Sequence, residues 1–276
     1  AETYDLDPED AALIAHRHPA DAQAYQVGRV AAWSQPRYQL DRRFVRLTLL
    51  ADKGEMAAPN RWERNVERFD DLRAVLAAAP EPAVVLLGGP GSGKSTILRR
   101  LELDLSADAL RTGSGRLTQL VSLNRYRSRG DGDMLGPAEW LTAEWSTAWP
   151  DMPPLHELLA DGRLTLLLDG LNEMPHASSL DYWAVVQAWK SFLIDIVARC
   201  PGTRFVFTCR TLDYSEPLSS AGQRVPHVQI EALSDDQIRL LLISRLGESG
   251  AALWDTVAER PERDLLRTPY MLILYA

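Results

Sequence analysis

Residues 83–96 read AVVLLGGPGSGKST, and this stretch decides the fold of the chain. Its first five residues form a continuous apolar run, which predicts a strand buried in a sheet. Its last nine, Gly88 to Thr96, fit the pattern G-x-x-x-x-G-K-[ST], and the apolar pair Ile97 and Leu98 that follows predicts a helix. A strand, a glycine-rich loop and a helix in this order are typical of a phosphate-binding loop, so we expect a nucleoside triphosphate site.

Each residue type in the loop has a chemical reason. We expect Gly88, Gly91 and Gly93 to adopt positive φ angles and to let the backbone approach a phosphate. The loop N–H groups and the positive end of the next helix would then face the β-phosphate. Lys94 would bridge the β- and γ-phosphates, and the Ser95 hydroxyl would bind Mg²⁺. The predicted nucleotide-binding residues of the loop are Gly88, Pro90, Gly91, Ser92, Gly93, Lys94, Ser95 and Thr96.

A second apolar run, residues 164–168, ends in Asp169 and is followed by Glu173. An acid at the carboxyl end of a sheet strand is where phosphate-loop enzymes hold Mg²⁺, so Asp169 is the predicted second metal-binding residue. Glu173 is the candidate general base that polarises the attacking water. The alternatives are a turn or helix-cap role for Asp169 and an ordinary surface carboxylate for Glu173.

A second polar strand end occurs where residues 204–209 (RFVFTC) lead into Arg210. A cation at this place is positioned to contact the γ-phosphate and to stabilise charge during transfer. We therefore count Arg210 with Lys94, Asp169 and Glu173 as the predicted catalytic group. The alternative for Arg210 is an ion pair with a surface acid.

The remaining pattern predicts an α/β fold, because near-continuous apolar strands alternate with helical segments. A small, wholly helical part is predicted from about residue 232. The predicted strands cover 44–50, 83–87, 117–123, 164–168, 204–209 and 228–230. The predicted helices include 8–18, 20–33, 61–79, 95–105, two tryptophan-rich segments within 137–160, and 181–199.

Composition narrows the class of protein. The formal net charge of −8 argues against a general nucleic-acid-binding surface. No apolar stretch approaches the roughly 18 residues of a membrane span. Two cysteines without a secretory signal favour free thiols and a cytoplasmic location. The chain starts without methionine and stops in the apolar run 270–275, from which we expect a piece of a longer polypeptide.

Together these motifs resemble the NACHT family of STAND signal-transduction ATPases, which are relatives of the AAA+ proteins. GGPGSGKST is similar to the Walker A motif of that family, LLLDGLNEM to its extended Walker B motif, and FVFTCR to its sensor-1 strand. LLRTPYMLILY resembles the motif in which a proline of the small helical domain touches the nucleotide, which implies that role for Pro269. Phe44 to Leu47 and the following helix resemble the lead-in of bacterial members.

The resemblance implies an AAA+/STAND-like parallel sheet flanked by helices and followed by a small helical domain. The implied division is a lead-in over 1–60, a nucleotide-binding domain over 61–231 and the start of a helical domain over 232–276. Two positions depart from the family pattern. Asn172 replaces the usual second Asp of the Walker B segment, which puts two-acid activation of water in doubt, and Thr211 follows Arg210 where many members have Pro.

The function that this resemblance implies is that of a switch with ATP, ADP and Mg²⁺ as its ligands. ADP holds a closed state, and exchange for ATP allows opening and self-association in signalling, including prokaryotic defence. Sensor and effector domains of the same polypeptide are the implied partners. ATP is favoured over GTP because no guanine-reading N-K-x-D run follows Asp169. Two alternatives remain open: an AAA+-type ATPase that acts on nucleic acid, and a nucleotide-binding scaffold that does not hydrolyse.

Overall fold

The computed structural model describes residues 14, 18–34, 47–52, 62–126, 135–220 and 222–275. These residues form one seven-stranded sheet with helices packed against it. The strands, in chain order, are β1 (Leu47–Asp52), β2 (Trp62–Phe69), β3 (Ala83–Gly88), β4 (Leu117–Ser122), β5 (Leu164–Asp169), β6 (Arg204–Arg210) and β7 (His227–Ile230).

The order of the strands across the sheet is β2-β1-β7-β3-β6-β5-β4. The five strands from β7 to β4 are parallel, whereas β1 pairs antiparallel with both β2 and β7. Strand β6 lies between β3 and β5, with Gly88 opposite Arg210 and Leu168 opposite Phe207. The phosphate loop and the two predicted polar strand ends therefore meet at one edge, and the α/β fold predicted from the sequence is confirmed.

Nine α-helices complete the described part of the chain. They are α1 (Ala22–Trp33), α2 (Leu72–Ala78), α3 (Lys94–Thr112), α4 (Pro137–Ala148), α5 (Leu155–Ala160), α6 (Ser179–Arg199), α7 (Asp235–Leu246), α8 (Glu248–Val257) and α9 (Pro269–Tyr275). Helix α3 is longer than the predicted 95–105, and it ends where Gly113 adopts a left-handed φ of 62°.

Both faces of the sheet are buried, because successive strand residues point to opposite sides. On one face, Val85 and Phe207 pack with the tryptophan-rich helices α4 and α6, including the fully buried Trp189 of α6. On the other face, Val84 and Val206 pack against α2 and α3. The residues predicted as the catalytic group lie at or beside the ends of the strands.

The helix predicted over 61–79 is wrong in its first half. Residues 62–69 form β2, which pairs antiparallel with β1, and only Leu72–Ala78 is helical. The break falls at Asp71, whose carboxylate accepts a hydrogen bond of 2.7 Å from the backbone N–H of Ala74. An aspartate favours this capping position over a helix interior. Apolar residues spaced by three and four did not reveal the pairing partner, which is distant in sequence.

Helix α1 is joined to the core through a buried carboxylate on α3. Glu102 is fully buried, and it accepts hydrogen bonds from the Trp33 indole N–H and from the Leu120 backbone N–H at 3.0 Å. Arg29 Nη1 lies 4.0 Å from Glu102 Oε1. Burial raises the pKa of Glu102, while Arg29 and the two N–H donors act in the opposite direction.

The helices after β7 have an apolar cluster of their own. Ile238 and Leu242 of α7, Val257 of α8 and Leu272 of α9 belong to this cluster. A Ser234 and Gln237 capping box starts α7, with both reciprocal hydrogen bonds present. The helical character predicted from about residue 232 is present here.

Other predictions have simpler outcomes. The helix predicted over 8–18 lies almost wholly outside the described residues, as do positions 44–46 of the predicted lead-in strand. Cys200 and Cys209 are both buried and unpaired. Within the described ranges, no helix has the length and apolar character needed to cross a membrane.

We predict that Glu102→Ala lowers the free energy of unfolding by about 3 kcal/mol, because it removes the counter-charge of the half-buried Arg29 and the acceptor of the Leu120 N–H. Urea denaturation measures this change. Asp195→Ala on α6 is the control, since it removes an exposed carboxylate whose i,i+4 pair with Arg199 is worth about 0.5 kcal/mol. A loss below about 1 kcal/mol for Glu102→Ala would contradict the structural role given to this carboxylate.

Candidate functional site

The phosphate loop runs from the end of β3 to the start of α3. Gly91 and Gly93 have positive φ angles of 70° and 93°, as the sequence predicts, and Gly93 is the N-cap of α3. Gly89 and Gly93 have no atom within 4 Å of the place where a Cβ would stand. The loop is therefore an open cradle at a helix N-terminus, which suits an anion.

The prediction of a positive φ at Gly88 is wrong. Among the described residues that angle occurs at other glycines but not at Gly88. A Cβ at Gly88 would instead lie 2.4 Å from Ser92 Oγ and 3.1 Å from Ile230 Cδ1, so close approach favours glycine here. The Ser92 hydroxyl that comes so close is buried, and within the described structure it has no hydrogen-bond partner.

Lys94 lies on the first turn of α3 with its side chain folded onto the loop. Its Nζ donates hydrogen bonds to the carbonyl oxygens of Gly88 at 2.8 Å and of Gly89 at 2.9 Å. Burial lowers the pKa of Lys94, and the nearby Arg210 lowers it further. Asp169 and Glu173 act in the opposite direction. Arg210, Asp169 and Glu173 are therefore all within electrostatic reach of Lys94.

Asp169 is the last residue of β5, and a buried threonine of β6 orients it. Thr208 Oγ1 donates to Asp169 Oδ1 at 2.6 Å and accepts from the Gly170 backbone N–H at 2.8 Å. Both bonds use the one hydroxyl that points across from the neighbouring strand. Sequence analysis recognised Thr208 only as part of a polar strand end and missed this positioning role.

Glu173 ends the 3-10 turn Leu171–Glu173 that follows β5. Gly170 starts the turn with a φ of 85°, and its carbonyl accepts from the Glu173 N–H at 2.8 Å. A Cβ at Gly170 would stand 3.0 Å from Glu173 Oε2. Glycine is needed at this position both for the turn and for the space that the carboxylate occupies.

Arg210 leaves the end of β6 beside Asn172 and Asp213. Its backbone N–H donates to Asn172 Oδ1 at 3.1 Å, and its Nη1 lies 3.9 Å from Asp213 Oδ2. Asn172 Nδ2 in turn donates to Asp213 Oδ2 at 3.2 Å. Asp213 is a second residue that sequence analysis missed, since nothing in its local pattern distinguishes it from a surface acid.

Pro269, the predicted nucleotide contact of the helical part, begins α9 between two residues that touch the phosphate loop. The Tyr270 backbone N–H donates to the Gly91 carbonyl oxygen at 3.3 Å. A Cβ at Gly91 would stand 2.7 Å from Tyr270 Cβ and 3.2 Å from Thr268 Cγ2. The start of α9 and the loop are in direct contact.

The donor set fits a nucleotide with its magnesium ion. Ser95 and Thr96 follow Lys94 on the first turn of α3, and Asp169 closes the neighbouring strand edge. The described residues include no group of three or more acidic, histidine or cysteine side chains that could hold a metal by themselves. Magnesium suits such a site, because it binds through one or two protein oxygens together with phosphate oxygens and water.

Comparison with known families and structures gives the following similarities. The family model described as NACHT domain matches residues 82–249 of the 276-residue chain. No curated protein matches the chain. A chain of the E. coli MS115-1 HORMA:CdnC:Trip13 complex has a TM-score of 0.42 and 19% identity, with 69% of this chain and 64% of that chain covered.

Two further solved structures are similar. The Thermotoga maritima RuvB Holliday junction branch migration motor has a TM-score of 0.42 and 16% identity, with 73% of this chain and 55% of that chain covered. C. elegans PCH-2 has a TM-score of 0.35 and 15% identity, with 67% of this chain and 49% of that chain covered. The chain thus spans between 49% and 64% of the lengths of these three structures.

We predict that Gly91→Ala lowers the free energy of unfolding more than Gly93→Ala does. Both substitutions force a left-handed backbone on alanine, at about 1–2 kcal/mol each. Only at Gly91 does the new methyl also collide with Tyr270, which should add about 1–3 kcal/mol. Thermal or urea unfolding measures the difference, and Gly89→Ala provides a baseline with neither effect. Equal losses at Gly91 and Gly93 would argue against the contact between the loop and α9.

Proposed function

The chain belongs to the NACHT family of nucleotide-binding P-loop modules, and from this membership we propose that it is an ATP- and ADP-binding switch that hydrolyses ATP slowly. The observation that carries the proposal is the convergence of Lys94, Asp169, Glu173 and Arg210 on one sheet edge beside the open phosphate loop. Two cations and two carboxylates around one anion cradle suit a triphosphate and its metal.

The phosphates would lie against the backbone N–H groups of the loop, where Gly89 and Gly93 leave room. Lys94 would exchange the carbonyl oxygens of Gly88 and Gly89 for phosphate oxygens, and the unpartnered Ser92 hydroxyl would gain an acceptor. Ser95 and Asp169 would hold Mg²⁺, with Asp169 kept in orientation by Thr208. The bound Mg²⁺ would neutralise phosphate charge.

Slow hydrolysis follows from the groups around the expected γ-phosphate position. Glu173 is exposed at the end of its turn, so its carboxylate is accessible to a water molecule as a general base. Arg210 would stabilise charge on the γ-phosphate. Position 172 carries an amide instead of a second carboxylate, so a single acid serves the water. This same feature favours the alternative of a scaffold that binds nucleotide without hydrolysis.

Switching would use the contact between the loop and α9. Tyr270 and Thr268 pack against Gly91, and α9 belongs to an apolar cluster separate from the two faces of the sheet. A nucleotide that reshapes the loop can therefore act on the whole helical part. A shift from 1:99 to 99:1 between closed and open states needs about 5.5 kcal/mol of differential affinity.

The wider proposal follows the family. We place the lead-in at 1–60, the nucleotide-binding domain at 61–231 and the helical domain from 232, in a cytoplasmic protein. ATP would promote self-association through this module and signalling with sensor and effector domains of the same polypeptide, including a role in defence. An ATPase motor on nucleic acid is disfavoured by the net charge of −8.

Nucleotide binding is tested by thermal unfolding with ADP, Mg·ATP and Mg·GTP. We expect adenine nucleotides at 100 times their Kd to stabilise the chain by about 2.7 kcal/mol, a rise of several degrees in Tm. Lys94→Ala should abolish the rise, whereas Lys190→Ala, which removes the same charge from the middle of α6, should keep it. No shift with any nucleotide, or a shift independent of Lys94, would refute the proposed site.

Hydrolysis is tested with Glu173→Gln. We expect the rate of phosphate release from Mg·ATP to fall at least about 100-fold, as for loss of a general base, while the Kd for Mg·ATP stays within about twofold. Glu157→Gln on α5 makes the same chemical change far from the loop and should leave the rate unaltered. Release at the wild-type rate in Glu173→Gln would remove this residue from the reaction, and no release in the wild type would favour the scaffold.

A further inference from the structure

Asn172, Asp213 and Arg210 form a closed set of polar contacts where β5 and β6 end. The two ends of the Asn172 amide have different partners: its oxygen accepts from the Arg210 backbone N–H at 3.1 Å, and its nitrogen donates to Asp213 Oδ2 at 3.2 Å. Asp213 Oδ2 also lies 3.9 Å from Arg210 Nη1. Arg210 is thus held at its backbone by one residue and at its guanidinium by the other.

The chemistry of these contacts suits an amide at 172 and excludes a carboxylate there. Only a side chain with both an acceptor and a donor can serve the Arg210 N–H and a carboxylate at once. An aspartate at 172 would place two carboxylates about 3.2 Å apart, where like charges repel strongly. The site therefore accommodates one negative charge, at 172 or at 213, but not two.

Arg210 also faces the phosphate loop. It stands opposite Gly88 at the end of β6, and the Lys94 amine lies on the carbonyl oxygens of Gly88 and Gly89, so two cations are held beside the same cradle. Asp213 provides a counter-charge on the side of Arg210 that faces the turn after β6. The direction of the guanidinium is accordingly set by a balance between Asp213 and whatever anion the loop binds.

We propose that Asn172 and Asp213 are positioning residues that hold Arg210 toward the γ-phosphate and thereby set the preference of the site for ATP over ADP. The inference rests on the proposed function, because it assigns this role within the same nucleotide site. In this arrangement Asp213 supplies the carboxylate that position 172 lacks, and it accepts a hydrogen bond from the Asn172 amide. ADP has no γ-phosphate for Arg210 to contact, so only the affinity for ATP depends on the pair.

The test is a charge relocation measured by calorimetry with Mg·ATP and Mg·ADP. Asn172→Asp should lower the ratio of the ATP to the ADP affinity about fivefold, and Asp213→Asn about two- to threefold. The double variant has one amide, one carboxylate and the hydrogen bond between them, and its charge equals that of the wild type. Its ratio of ATP to ADP affinity should therefore return to within about twofold of the wild-type ratio. A residue needed only for folding would not produce this recovery.

Two further variants complete the design. Arg210→Ala should lower the same ratio at least as much as Asn172→Asp, because it removes the group that the pair positions. Asp161→Asn is the control: it removes a carboxylate from an exposed ion pair with Arg163 at the opposite edge of the sheet, and should leave the ratio unchanged. Thermal unfolding without nucleotide establishes that each variant is folded. If Asn172→Asp does not fold, the test still stands, because Asp213→Asn is expected to lower the ratio and the double variant to restore it.

The outcomes separate the two proposals. Absence of Lys94-dependent binding in the wild type would overturn the proposed function and this inference with it. Normal binding, with a double variant as impaired as Asn172→Asp or with no effect of either single change, would overturn the inference alone. An unchanged ratio in Arg210→Ala would do the same, because the pair would then have no γ-phosphate contact to position.

Discussion

The candidate site depends on one constraint: the interior of the parallel sheet is closed to water on both faces. Val84 and Val206 are covered by α2 and α3, and Val85 and Phe207 by the tryptophan-rich helices. A charged side chain inside these layers would be strongly destabilising. The charged residues of the site therefore stand where strands end, and parallel pairing brings those ends to the same edge.

The position of β6 gives this edge its chemistry. Because β6 lies between β3 and β5, its last residues reach both the phosphate loop and the acid of the neighbouring strand. Thr208 bonds to Asp169 on one side, and Arg210 stands opposite Gly88 on the other. A single strand thus carries one residue that orients an acid and one that supplies a cation.

The amide at position 172 is best understood together with its neighbours. By its pattern alone, Asn172 is a departure that weakens the case for a water-activating pair of acids. In the structure its amide links the Arg210 backbone to the carboxylate of Asp213. The substitution and the nearby acid are physically compatible with each other, whereas two carboxylates at 3.2 Å are not.

The sequence alone determined the phosphate loop, the core strands and the predicted set Lys94, Asp169, Glu173 and Arg210, because each depends on local pattern: apolar runs, glycines at fixed spacing and polar residues at strand ends. It also indicated the family. Tertiary structure alone decided that residues 62–69 pair as a strand, and that the close approach of Ser92 favours glycine at Gly88.

Tertiary structure likewise brought in Thr208, Asp213 and Tyr270, none of which has a local signature. Thr208 and Asp213 lie about 40 residues from their partners in sequence, and Tyr270 much further from the loop that it touches. Their roles arise from contacts across the sheet edge and with the helical part. Local periodicity cannot encode such contacts, because they exist only once distant segments have packed.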